Sequence, residues 1–156
     1  MSKLYNYFEK LHKENKIVQA YLIGNTKYDE ISNEMQEIIN NFFFSDESNT
    51  INVDIQVVRS EKGTISKDSI KNIIENVTKT SQFNNKKIYI IDEAELLNDY
   101  SYNAILKTLE EPQSNVYAFL ITKNMESVKP TISSRCQKIF ISNSDNYEIE
   151  EDNSIS

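Results

Sequence analysis

Two groups of residues have the types and spacing for chemistry at a phosphate. The first is Asp92-Glu93, adjacent carboxylates that follow the apolar run Lys87-Ile88-Tyr89-Ile90-Ile91. That run is short, β-branched and aromatic, and reads as a strand buried on both faces. It delivers the pair to the C-terminal edge of a sheet, where open α/β sheets keep their ligands. There an Asp can enter a magnesium shell and a Glu can polarise a water. The pair also has a plainer use, with Glu93 and Glu95 starting the next helix at its positive end. The second group is Pro130-Thr131-Ile132-Ser133-Ser134-Arg135-Cys136. Arg135 is always charged and can fork onto phosphate oxygens, including those of a nucleotide held by a neighbour. Its plainer uses are capping a helix end and pairing with a surface carboxylate.

A phosphoryl-transfer site needs a cradle as well as a metal end. The cradle is a strand, a glycine-rich loop and a helix N-terminus, with Lys on the terminal phosphates and Ser/Thr on magnesium. Topology puts it after the first strand, where the chain reads Gly24-Asn25-Thr26-Lys27-Tyr28-Asp29-Glu30-Ile31. No second glycine and no Lys-Ser/Thr pair follow, so GxxxxGK[ST] fails. Asp29 and Glu30 would meet any phosphate with like charge. Only Gly24 and Gly63 are glycine in 156 residues, where average usage of about 7% predicts roughly eleven.

Composition closes other routes. The one cysteine, Cys136, excludes an internal disulfide framework and a multi-cysteine zinc module. The one histidine, His12, lies in a polar stretch and offers neither a metal site nor a triad. Five negatives of the formal −7 fall in the final stretch at Asp145, Glu148, Glu150, Glu151 and Asp152. Net charge therefore gives no nucleic-acid footprint; Lys86, Lys87 and Lys107 are either solvated charges or local points of DNA contact. No apolar run approaches the roughly 20 residues of a membrane span, and no signal peptide is visible, so a soluble cytoplasmic protein is expected.

The elements that must position these groups follow from periodicity. Leu4, Phe8 and Leu11 mark an amphipathic first helix over 2–14. Gln19–Ile23 is a first buried strand, and Thr26 is placed to cap the helix carrying Ile31, Met35, Ile38, Ile39 and Phe42. Phe42-Phe43-Phe44 reads as the buried end of that helix. The polar stretch 45–52 reads as a loop and Val53–Val58 as the second strand. Ser66 caps a helix with Ile70, Ile73, Ile74 and Val77 on one face. The Asp92 strand is third; Tyr102, Ile105, Leu106 and Leu109 mark the helix that Pro112 stops. Asn115–Thr122 is the fourth strand, 126–135 holds one or two turns with Pro130 in a first turn, and Lys138–Ile141 is the fifth strand. From Ser142 the chain reads as a mobile, disordered acidic tail. Five strands alternating with helices predict one doubly wound α/β domain over 1–141.

Four segments, IIDEAELL, NAILKTLEEP, FLIT and PTISSRC, fall in this order between residues 86 and 141. Together they resemble the ordered motifs of AAA+ clamp-loader subunits of bacterial DNA polymerase III; QAYLIG and VDIQVV resemble the family's first two strands more weakly. The resemblance implies a P-loop NTPase-like (AAA+) three-layer sandwich with a five-stranded parallel sheet. With its phosphate loop degenerate, the chain is most similar to the delta-prime subunit, the non-hydrolysing stator. The family's SRC motif then makes Arg135 an arginine finger acting in trans, with Ser134 and Cys136 as motif members and Cys136 a packing residue. Asp92 and Glu93 become a degenerate Walker B pair, and Thr122, Lys123 and Asn124 fall on the sensor-1 segment. Implied partners are the gamma/tau and delta subunits, with the sliding clamp and primer-template DNA reached through the complex, and no membrane. No bound cofactor is expected, since the four-cysteine zinc module is absent and the ATP site is not intact. The chain ends soon after the fifth strand, so the family's lid and collar domains are expected to be missing, leaving a reduced relative or a fragment. Two other functions stand beside this one: a protein-interaction module derived from the AAA+ fold with no role at a nucleotide site, and a clamp-loader ATPase that binds ATP itself.

Overall fold

Short apolar runs separated by 3.6-period segments build a sheet with helices on both faces. The computed structural model describes residues 2–43, 53–79, 86–141 and 147–150. Five strands, β1 (Ala20–Gly24), β2 (Val53–Val58), β3 (Lys86–Ile91), β4 (Val116–Thr122) and β5 (Gln137–Ile141), pair in parallel in the order β2-β3-β4-β1-β5. The chain thus leaves β1 for the far edge, winds back to β4, and crosses over β1 to reach β5. The helices are α1 (Lys3–Lys13), α2 (Tyr28–Ile38), α3 (Lys67–Thr78), α4 (Asp99–Glu110) and the one-turn α5 (Pro130–Ser133).

The period of two along each strand sorts the core into two clusters. Tyr21, Ile23, Ile88, Ile90, Phe119 and Ile121 pack against α1 and α2; Leu22, Tyr89, Ile91, Ala118 and Leu120 pack against α3, α4 and α5. Each fully buried aliphatic or aromatic side chain contributes about 1.5–3 kcal/mol, so this two-sided burial is what makes the central strands rigid supports. On the first face Phe8 stands edge-on to Tyr21, ring centroids 4.9 Å apart, and Tyr21 stacks on Phe119 at 5.5 Å. Ser2 caps α1 and Ser66 caps α3, their hydroxyls accepting from Tyr5 N–H at 3.1 Å and Ser69 N–H at 3.0 Å. A π-helical turn, Ile39–Phe43, continues α2 and buries Phe42 and Phe43, as expected. Phe44 and the loop reading of 45–52 lie outside the described residues.

Three expectations change. Thr26 does not cap α2: the cap position is Lys27, and the hydroxyl of Thr26 instead donates to Glu30 Oε2 at 3.1 Å. Glu93 and Glu95 do not open the long helix; they flank and occupy a single 3-10 turn, Ala94–Leu96, and α4 starts at Asp99, capped by Asn98, whose side chain accepts from Ser101 N–H at 2.8 Å. Finally, part of the stretch read as a tail is a strand. β6 (Tyr147–Glu150) pairs antiparallel with β5, Lys138 facing Glu150 and Ile141 facing Tyr147. Without it β5 would present a row of unpaired backbone groups, and Tyr147 and Ile149 alternate with Glu148 and Glu150 in the sequence as a strand requires. Residues 142–146 and 151–156 lie outside the described residues.

Candidate functional site

At the C-terminal edge of the sheet β3 ends on Asp92 and β1 ends on the turn into α2. A helix N-terminus carries backbone N–H groups without partners, which is why phosphates settle there. Here an internal group has taken that role. Asp92 is buried, and its Oδ1 accepts from Tyr28 N–H, in the first turn of α2, at 3.1 Å and from Glu93 N–H at 3.0 Å. Burial pushes its carboxyl above the ordinary range, while the two N–H donors pull it back. Asp29, the next residue of that first turn, forms an ion pair with Arg59 at 2.7 Å, and the Arg59 guanidinium lies 5.1 Å from the centre of the Tyr28 ring.

Glu93 sits in the left-handed region at φ 54°. Its carboxylate accepts from the Ser60 hydroxyl at 2.7 Å and meets Lys123 at 3.5 Å. The Ser60 hydrogen bond, with the nearby lysine charges, lowers its pKa. Thr122 is fully buried, its hydroxyl 2.9 Å from Glu95 Oε2 and 3.0 Å from the Asn124 carbonyl. One hydroxyl hydrogen serves those two acceptors, and Glu95 Oε1 is left buried without a partner. Asn124 accepts from Glu126 N–H at 3.1 Å and so caps a second 3-10 turn, Met125–Ser127. Asp92, Glu93 and the segment Thr122–Asn124 are therefore brought together at one edge, linked through Glu93–Lys123 and Glu95–Thr122. The residues present do not fit a nucleotide: the α2 N-terminus is occupied by Asp92, Asp29 adds negative charge, and no glycine loop surrounds the place of the phosphates.

Arg135 lies at the other end. It lies two residues before β5, so in a parallel sheet it stands at the N-terminal edge, opposite Asp92. Its Nη1 donates to the Thr131 carbonyl at 2.7 Å and its Nη2 meets Glu110 Oε1 at 3.0 Å. Both plainer uses of this arginine, helix-end capping and carboxylate pairing, are thus realised. The two most specific motifs meet here, since Glu110 ends NAILKTLEEP's helix and Thr131 belongs to PTISSRC. Arg135 and Glu110 border a cavity of about 760 Å³ whose apolar lining includes Val18, Ala20, Leu109, Pro112 and Cys136. Ser134 lines it as well and is exposed. Burial pushes the Cys136 thiol up to about 12, so it stays protonated and acts as a packing group.

Sequence reading did not single out Glu110 as a partner of Arg135, nor Tyr28 and Ser60 as partners of the acidic pair. Glu110 did carry a signal: a carboxylate in the last turn of a helix opposes the macrodipole and calls for a nearby cation. Lys87, a candidate for DNA contact, is buried, and its ammonium donates to the carbonyls of Asn76 at 2.6 Å and Lys79 at 2.9 Å. It is a structural lysine.

The strand order and the acidic pair at the crevice edge define an AAA+-like, P-loop NTPase-like α/β domain. Two solved Thermotoga maritima structures share the fold. A DNA polymerase III gamma-subunit-related protein matches with TM-score 0.65 and 24% identity, covering 86% of this chain and 45% of that one. RuvB, as a T158V variant, matches with TM-score 0.51 and 12% identity, covering 87% and 41%. The chain belongs to the family described as DNA polymerase III, delta subunit, whose sequence model matches residues 1–145. Among curated relatives, the delta' subunit of Bacillus subtilis is 36% identical over 86 residues, 55% of this chain and 26% of that protein. The Escherichia coli delta' subunit is 34% identical over 86 residues, 54% and 26%. A gamma subunit from Buchnera aphidicola (Schizaphis graminum) is 41% identical over 69 residues, 44% and 19%. The matching segments thus span a quarter or less of the whole length of that gamma subunit and about a quarter of the two delta' subunits. The resemblance carried by the four motifs is borne out at the level of the family. Among the described residues no helix is long and apolar enough to cross a membrane.

Proposed function

We propose that this chain is a non-catalytic, delta-prime-like clamp-loader subunit that docks on a neighbouring gamma/tau ATPase subunit and offers Arg135 to its ATP site. The delta subunit, the sliding clamp and primer-template DNA are then reached through the complex. One observation carries the reading: the chain's own crevice is closed by Asp92 on the α2 N-terminus, while its conspicuous arginine stands at the opposite edge of the sheet. An arginine so placed cannot serve the chain's own crevice, and over a third of its side chain is exposed to solvent (37%). A guanidinium presented across an interface stabilises the charge that develops on a transferring phosphoryl group.

The test is reconstitution with the gamma/tau and delta subunits of the same organism. Arg135→Ala should leave assembly intact and lower DNA-stimulated ATP turnover by about tenfold or more. Arg135→Lys should recover little, because it keeps the charge and loses the fork. Unchanged turnover and clamp loading in both variants would remove the finger role. A second reading, an interaction module with no role at a nucleotide site, is favoured by the two acceptors that Arg135 already has within the chain; assembly without any Arg135 dependence would support it.

A further inference from the structure

The two acceptors of the Arg135 guanidinium lie on two helices that pack on each other, α4 and α5. Glu110 is the last residue of α4 and meets Nη2 at 3.0 Å. The Thr131 carbonyl, 2.7 Å from Nη1, belongs to α5, and α5 is tied to α4 at three points. The Tyr102 and Thr131 hydroxyls are hydrogen-bonded, the Lys129 ammonium lies 4.4 Å over the Tyr102 ring, and the same ammonium is 3.4 Å from Asp99 Oδ1. A guanidinium has five N–H donors in one plane. A carbonyl and a carboxylate oxygen on separate Nη atoms fix that plane and leave further N–H groups for another acceptor. A lone exposed ion pair holds a long side chain weakly; two anchors on the joined α4–α5 pair hold its orientation.

We propose that Glu110 is a positioning residue for Arg135: with the Thr131 carbonyl it sets the guanidinium so that its remaining N–H groups meet the phosphate of a nucleotide bound by the adjacent subunit. This rests on the arginine-finger reading above. It assigns to the helix of NAILKTLEEP the task of mounting the SRC arginine. Orientation matters at this step because small displacements of a group that stabilises a transition state cost large factors in rate.

The experiment uses the full chain reconstituted with its gamma/tau and delta subunits, and compares Glu110→Ala, Glu110→Gln and Arg135→Ala. The readouts are assembly affinity, and kcat and KM for ATP in DNA-stimulated turnover. Glu110→Ala is expected to lower kcat about five- to tenfold, with KM and assembly affinity within about twofold of the parent. Glu110→Gln, which keeps one acceptor oxygen, should fall between the two, and Glu110→Ala should add nothing in an Arg135→Ala background. Unchanged or increased kcat in Glu110→Ala overturns the proposal, an increase meaning that the carboxylate restrains the arginine. An undiminished loss in the Arg135→Ala background also overturns it. If Arg135→Ala is itself without effect, the arginine-finger reading falls first; if Arg135→Ala lowers kcat and both Glu110 variants do not, the positioning role alone falls.

Discussion

A carboxylate at the end of a parallel strand can serve a metal, water or the N-terminus of a neighbouring helix, and Asp92 serves the helix. The bond from Tyr28 N–H, 3.1 Å, occupies a donor at the α2 N-terminus that a phosphate would otherwise use, and Glu93 N–H donates to the same oxygen at 3.0 Å. Asp92→Ala strands both donors and should cost about 1–3 kcal/mol in urea unfolding. Asp92→Asn separates charge from hydrogen bonding. Burial holds this carboxyl above its ordinary value of 3.8, with the Tyr28 and Glu93 N–H groups opposing. A carboxyl raised on folding favours the protonated form, so its contribution is best below that ordinary value and declines as pH rises through the folded one. The stability of Asp92→Asn relative to the parent should therefore improve between about pH 3 and pH 7; a constant difference across that range would mean that the carboxylate carries no burial penalty.

Helices and strands in this molecule were legible where burial is one-sided or complete, and illegible where a polar group chooses between partners. Phe8, Met35, Ile73 and Ile105 recur at helical spacing because each helix packs only one face on the sheet, and that spacing needs no knowledge of the neighbour. The cap at Ser66 is local, since the acceptor lies three residues from the donor. The start of α2 is different. Its first turn is satisfied from Asp92, 64 positions away, so Thr26, the local candidate, is free to bond Glu30 instead. β6 was missed because acidic composition masks a period-two pattern that matters only once β5 offers an edge. Truncation after Ile141 should expose that edge and lower stability by about 1–3 kcal/mol, read as a lower urea midpoint together with concentration-dependent association.

At the scale of the whole molecule, two cores on opposite faces of one sheet share the central strands, so loss of either face removes support from the other. Cys136 reports on this directly. It is buried against the α4–α5 face, with its thiol pushed up to about 12. In the native protein at about pH 8, alkylation by iodoacetamide should be slower than that of a free thiol by orders of magnitude. Its rate should rise across urea in step with the global transition followed by circular dichroism. Labelling that runs ahead of that transition would mean that the α4–α5 corner opens by itself.

By itself the sequence determined the five parallel strands, the helices between them, the missing glycine-rich Lys-Ser/Thr motif after the first strand and the motif order that marks the family. All of these rest on residue type and on spacings along the chain. Only the tertiary structure decided which groups meet: Asp92 on the backbone of Tyr28, Thr122 on Glu95, Arg135 between Glu110 and Thr131. Hydrogen bonds and ion pairs act over about 3 Å between atoms that can be any distance apart in sequence, so the partner of each charge becomes defined only when the sheet order has brought the segments together. For the same reason Asp92, which looks catalytic in the sequence, bonds the N-terminus of α2 in the fold, and the arginine emerges at the opposite edge.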